Sequence, residues 1–306
     1  MQDRATGRAL RRVLWGSIVI GAVALAVLGG TLGRLTLRPP EVALAEEPMP
    51  GGALVICGGG RVPEEATRRF LQLAGGRKAR IVVIPTAHAD ADGPDVDADY
   101  LAPFRKRGVA SVRLLHTRSR AQADDLDFAR PLAEATGVWI GGGEQHVLSE
   151  IYAGTEVERQ LKALLDRGGV IGGNSAGAAI MTRVMIANGH RGTVTEGRGF
   201  DLLPNAIIDQ HFLRRNRFDR LLHILARHPE LVGFGIDEDT ALVVQGGRRL
   251  SVIGNSYVVA CLPGNGAFPA RTEFLKSGDQ ADLTLLTSSE AVISSVLDLD
   301  EVLEAE

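Results

Sequence analysis

Val170-Ile171-Gly172-Gly173-Asn174-Ser175-Ala176-Gly177-Ala178 reads as a short strand turned sharply into a helix. Two β-branched apolar residues lead in, and only small residues flank the turn, where larger ones would obstruct a tight reversal. Working outward, the same rhythm recurs. Ala53–Cys57 (ALVIC) is a short apolar run that ends in three glycines. Pro63, Glu64 and Glu65 then open a helix that stops at Gly75-Gly76, with acids in its first turn and glycine past its end. Arg80–Pro85 (RIVVIP) and Ser111–Leu115 (SVRLL) predict further strands, and Val138–Ile140 leads into Gly141-Gly142-Gly143. A helix is expected over about 155–167, a strand at Phe234–Ile236, and a strand-rich pattern with glycine turns from Thr240 onward. Short continuous apolar runs alternating with helices imply a parallel sheet covered on both faces. The expected fold is therefore doubly wound α/β, with an antiparallel extension toward the C-terminus.

In an open parallel sheet, ligands bind beyond the carboxyl ends of the strands. Four features of the sequence fall at such ends. Ser175 occupies the sharp turn, a place that suits a nucleophile, and the N–H of Ala176 would be one donor to a developing oxyanion. The glycine run 141–143 lets backbone N–H groups approach closely, so Gly142 or Gly143 is the second expected donor. A serine needs a base, and His211 in Ile208-Asp209-Gln210-His211 is bracketed by polar groups. His223 and His228 instead lie among Leu221, Leu222 and Leu225 and read as packing or surface residues. Arg214, Arg215, Arg217 and Arg220 follow the base, and guanidinium groups there would suit a substrate rich in carboxylates. The orienting carboxylate comes from Asp237-Glu238-Asp239, and the pattern leaves all three open. The order Ser…His…acid argues against an α/β-hydrolase, in which the acid precedes the histidine.

The 306 residues are 45% hydrophobic and 23% charged with a formal net charge of −3, which gives no reason to expect a nucleic-acid partner. Arg4, Arg8, Arg11 and Arg12 precede an uncharged run from Val13 to Gly33, long enough to span a bilayer. Ala43-Leu44-Ala45 reads as a cleavage site, and Arg11-Arg12 resembles a twin-arginine signal. Residues 1–45 are thus expected to be an export signal or a membrane anchor that keeps the N-terminus cytoplasmic and sends the rest to the periplasm or beyond. Residues 46–52 form a linker and 53–306 one catalytic domain. Cys57 and Cys261 sit in apolar runs as small hydrophobes; a disulfide is permitted outside the cytoplasm but not indicated. No His/Cys cluster has metal-ligand spacing, so no metal and no cofactor are expected.

Taken together, LVICGGG, RIVVIPTA, GGNSAGA, DQHFLRRNRFDRLL and GIDEDTAL resemble the S51 serine peptidases, in particular their cyanophycinase branch. The resemblance runs from about Leu54 to Gly264. It implies a flavodoxin-like, class I glutamine-amidotransferase-like fold, although the latter enzymes use cysteine where Ser175 stands. By resemblance, Ser175, His211 and Glu238 are the triad, and Gln145, Asp209, Gln210, Arg215, Arg217 and Arg220 line the substrate pocket. It also implies a homodimer acting on arginyl-polyaspartate and releasing β-aspartyl-arginine, with Asp209 available to the substrate guanidinium. Glu144 departs from the aspartate usual there, and the export segment is unusual for enzymes that mobilise internal granules. A dipeptidase for short aspartyl peptides, or a tethered binding module with a vestigial triad, would share many of these features.

Overall fold

A computed structural model describes residues 51–190, 193–264 and 270–287, so residues 1–45, expected to be an export signal or anchor, lie outside the described residues. Five strands, β1 (Ala53–Cys57), β2 (Arg80–Ile84), β3 (Ser111–Leu114), β4 (Gly137–Ile140) and β5 (Val170–Asn174), run parallel in the spatial order β1-β5-β4-β2-β3. Successive residues of a strand point to opposite faces, and here both faces are apolar. Val55, Cys57, Ile81 and Val83 meet Phe70 of α1 (Glu64–Leu73) and Leu101 and Phe104 of α2 (Val96–Arg105). On the other face, Leu54, Ile56, Val82 and Ile84 pack in one core with α4 (Leu126–Glu134), α5 (Gln145–Tyr152) and α6 (Glu156–Asp166). The short α3 (Arg120–Ala123) precedes α4. This is the doubly wound arrangement that the sequence implies. Glu64 and Glu65 occupy the first turn of α1, and Gly75 beyond its end is left-handed at φ 105°, as its composition requires.

The antiparallel extension is also present. β10 (Thr240–Gln245) pairs antiparallel with β1, and β11 (Arg249–Gly254) and β14 (Gln280–Asp282) follow outward. Beyond the expected plan lie a hairpin, β6 (Val184–His190) with β7 (Thr193–Arg198), and a second sheet. That sheet orders β13 (Arg271–Lys276), β12 (Tyr257–Leu262), β9 (Val232–Ile236) and β8 (Ala206–Gln210), with β8 and β9 parallel. The strand expected at Phe234–Ile236 therefore belongs to this smaller sheet rather than the large one. Cys57 in β1 and Cys261 in β12 are buried free thiols, and burial pushes them up to about 12 and about 11. Neither is a nucleophile at neutral pH. Among the described residues no helix is long and apolar enough to cross a membrane, and no group of side chains could hold a metal ion.

Candidate active site

Ser175 follows β5 directly and opens α7 (Ala176–Ala179), a single turn rather than a long helix. Its backbone is left-handed at φ 53°, a costly conformation for a residue with a side chain. Close packing of backbone on backbone holds it there. A Cβ on Gly173 would fall 2.3 Å from the Gly177 carbonyl oxygen, and one on Gly177 would fall 2.2 Å from that of Ile140. The Ser175 N–H donates to Cys57 O at 3.0 Å, tying the turn to β1.

His211 directly follows β8 and likewise has a positive φ, 51°. Its N–H donates to Gly58 O at 2.5 Å. The ring lies on the glycines that follow β1: a Cβ on Gly59 would sit 2.2 Å from His211 Cε1, and one on Gly60 3.0 Å from Glu238 Cβ. The three-glycine run is thus a seat for the imidazole and its carboxylate, a role the sequence gives only as the end of a strand.

The geometry brings three of the expected residues into line. Ser175 Oγ is 2.9 Å from His211 Nε2, and His211 Nδ1 is 2.6 Å from Glu238 Oε1. With Nδ1–H donating to Glu238, Nε2 carries the lone pair and accepts the serine hydroxyl. Burial lowers the His211 pKa from its ordinary value; the Glu238 hydrogen bond opposes this, and Arg215 and Arg217 add to it. The imidazole is therefore neutral near pH 7 and fit to accept a proton. The three neighbouring acids also separate. Asp237 accepts Arg214 N–H at 2.9 Å and Ser256 Oγ–H at 2.7 Å, and Asp239 accepts Arg61 N–H at 2.8 Å, so both brace loops. His228 pairs with Glu196 at 3.1 Å and His223 is exposed on α8 (Phe218–Leu225); neither lines the cleft that holds Ser175.

That cleft measures about 540 Å³. Gly143 lines it, and Gly142 lies against Ser175, where a Cβ would be 3.5 Å from the serine Cβ. The residues expected to bind substrate divide into two groups. Arg215 lines the cleft, is exposed, and its guanidinium has no partner among the described residues. Arg220 also lines the cleft but is committed to a buried fork with Asp209, its Nε donating to Asp209 Oδ2 at 2.9 Å and its Nη2 donating to Oδ1. Asp209 is fully buried, so it is not available to a substrate guanidinium as the resemblance implies. Arg217 Nη1 donates to Gln210 O at 2.6 Å and to Gln210 Oε1 at 3.1 Å, and burial lowers its pKa to about 10. The Gln145 amide donates to Ile186 O at 3.0 Å and Ala187 O at 3.1 Å, where β6 bulges. It anchors the hairpin as well as lining the cleft. Glu144, by contrast, is a cleft-lining carboxylate with no arginine paired to it among the described residues; the ring of exposed His146 lies 3.6 Å from it.

Sequence reasoning passed over His88 and Asn188, both of which line the cleft. His88 stands just past the end of β2, so the strand-end rule that singled out Ser175 applied to it as well.

A profile of Peptidase family S51 matches residues 54–252. The chain belongs to peptidase family S51. It is a serine peptidase, a hydrolase related to the cyanophycinases. It is 37% identical to a cyanophycinase of Geminocystis herdmanii over 203 residues, which cover 64% of this chain and 74% of that one. A cyanophycinase of Trichormus variabilis is 34% identical over 237 residues, covering 75% and 77%. One from Synechococcus elongatus is 36% identical, the match spanning 63% of this chain and 62% of that protein. Among solved structures, a peptidase from an acI-B1 Actinobacterium superposes with a TM-score of 0.56 at 23% identity, over 77% of this chain and 99% of that one. At that identity the likeness establishes the fold. All of these features combine in one S51 scaffold: a parallel sheet, a serine turn and a histidine from a second sheet.

Proposed function

We propose that this S51 peptidase hydrolyses arginyl-polyaspartate to β-aspartyl-arginine by acyl transfer through Ser175. The observation that carries the reading is the unbroken hydrogen-bonded line Ser175–His211–Glu238, whose serine and histidine line the cleft. Ser175 Oγ attacks the scissile carbonyl carbon as its proton passes to His211 Nε2. Glu238 holds Nδ1–H and balances the imidazolium. The N–H of Ala176 and that of Gly142 or Gly143 receive the oxyanion. Collapse breaks the C–N bond, His211 returns the proton to the leaving amine, and water repeats the sequence to free the enzyme.

Substrate chemistry follows from what the cleft leaves unpaired. Arg215 is free to take the α-carboxylate of an arginyl branch of the polymer, and Glu144 is placed to take an arginyl guanidinium. Arg217, Arg220, Asp209 and Gln210 hold the segment that bears the base. The names of the relatives agree with this substrate. Export or anchoring through residues 13–33 belongs to the same proposal and rests on the sequence, as pairing into a homodimer rests on the resemblance. Incubation of the purified protein with arginyl-polyaspartate, followed by mass analysis, should yield β-aspartyl-arginine. Intact polymer alongside cleaved short aspartyl peptides would replace this reading with a dipeptidase.

A further inference from the structure

Three successive carbonyls in the turn after β2 are all held. Arg118 Nη1 donates to Thr86 O at 2.6 Å, and its Nη2 donates to His88 O at 2.9 Å. Between them, Ala87 O accepts the N–H of Glu144 at 2.9 Å. The same Ala87 carbonyl lies against Gly143: a Cβ there would be 2.1 Å from the oxygen, and Gly143 is at φ 135°. The conformation of Gly143 is therefore set by where Ala87 stands, and Ala87 is clamped on both sides by one guanidinium.

That guanidinium is itself oriented by a closed ring of hydrogen bonds. Arg118 Nε donates to Asp92 Oδ2 at 2.9 Å, and His116 Nε2 lies 2.9 Å from Asp92 Oδ1. His116 Nδ1 lies 2.8 Å from the hydroxyl of Thr86, whose Oγ1 is 2.6 Å from Tyr152 OH. One direction satisfies every member: Tyr152 donates to Thr86, Thr86 to His116 Nδ1, and His116 Nε2–H to Asp92. Thr86 is fully buried, so this hydroxyl–imidazole–carboxylate line serves architecture rather than attack. Hydrogen bonds from His116 and Arg118 hold the Asp92 carboxyl below its ordinary value, which keeps the ring charged on the surface side. Only the planar fork of arginine can bridge two carbonyls and a carboxylate at once; the point charge of lysine cannot.

We infer that Arg118, held by Asp92 and His116, is a positioning residue that fixes Gly142-Gly143 for the oxyanion through the Ala87 carbonyl. This rests on the proposal that one of those glycines donates to the oxyanion. A donor displaced from the oxyanion weakens the transition state and leaves ground-state binding as it was.

The test compares Arg118→Ala, Arg118→Lys and Asp92→Asn in the full chain with wild type. Turnover is measured on arginyl-polyaspartate and on an activated ester, with phenylboronic acid, which forms a tetrahedral serine adduct, and β-aspartyl-arginine as inhibitors. Removing one oxyanion donor outright costs about 10²–10³ in kcat, so a displaced one should cost about tenfold. The expected result is that loss in kcat with KM within about twofold in Arg118→Ala, and no rescue by lysine. Phenylboronic acid should weaken by the same factor while β-aspartyl-arginine binds as before. Asp92→Asn should show the same split to a smaller degree, and it carries the test if Arg118→Ala does not fold. Unchanged kcat in Arg118→Ala and Asp92→Asn, or equal weakening of both inhibitors, overturns the inference. Ser175→Ala is assayed in parallel: if it retains turnover, the acyl-transfer reading itself falls, whatever Arg118 does.

Discussion

Ser175 and His211 both hold an unfavourable positive φ near 50° just past the end of a parallel strand, but the fold secures them by different means. The serine is fixed locally: Gly173 and Gly177 let two strands and a turn touch through their backbones. The histidine is fixed from a distance. Gly58–Gly60 arrive from β1, Glu238 from the end of β9, and the buried Asp209–Arg220 fork braces the residues just before it. Strain at a functional residue persists only where its surroundings over-determine it. One seat achieves this by excluding side chains, the other by recruiting charged ones.

The sharpest way to break the comparison is to remove each tenant. Ser175→Ala and His211→Ala should each lower kcat by about 10⁶, with unfolding curves like wild type. If His211→Ala retains substantial turnover in a steady-state assay, the two seats do not serve one reaction. Next comes the charged brace. Arg220→Ala leaves the buried Asp209 with only the longer Arg217 contact at 3.4 Å, which should lower stability by about 3 kcal/mol in urea unfolding. Adding Asp209→Ala should recover much of that; a double variant as unstable as the single would show that the fork is not the brace.

A pH profile probes the same seat more gently. The His211 pKa is depressed in the folded protein, so protonation, which removes the base, occurs only below the ordinary value of 6.5. The acid limb of kcat/KM should accordingly fall below pH 6.5, and a limb above it would mean that Glu238 outweighs burial. Arg215→Ala should then raise KM for arginyl-polyaspartate about tenfold, the equivalent of about 1.4 kcal/mol, with lysine a poor substitute. An unchanged KM would make Arg215 a solvated surface cation. The smallest effect belongs to His223→Ala: exposed on α8, it should leave kcat/KM within about twofold.

The two seats also differ in how far they could be read from the sequence. The serine turn is contiguous, and its neighbours β1 and β4 are runs whose apolar content alone marks their ends, so strand and elbow were both legible. The base was legible as a residue, but its surroundings were not. Whether Phe234–Ile236 joins the large sheet or pairs with β8 depends on hydrogen bonds between segments about 25 residues apart, which periodicity does not encode. Similarly, Asp237, Glu238 and Asp239 look alike in sequence; only the Gly59–Gly60 shelf and the capping partners Arg214, Ser256 and Arg61 separate them. The arginine cluster was seen as one feature, and burial divides it into a free Arg215 and a committed Arg217 and Arg220. The hairpin β6–β7 went unread because Val184–His190 carries a glycine and a bulge where clean alternation would have announced a strand.

The nucleophile hangs from one hydrogen-bonded sheet and its proton acceptor from another, with no strand shared between them. The 2.9 Å separation of Ser175 Oγ and His211 Nε2 therefore works as a vernier across a seam. A slip of one ångström between the sheets would part the two atoms while every backbone ladder stayed intact. Turnover is then the most sensitive gauge of that seam, failing under heat or denaturant before circular dichroism registers any loss of strand. Engineers seeking a hardier enzyme would do better to reinforce the joint than either slab.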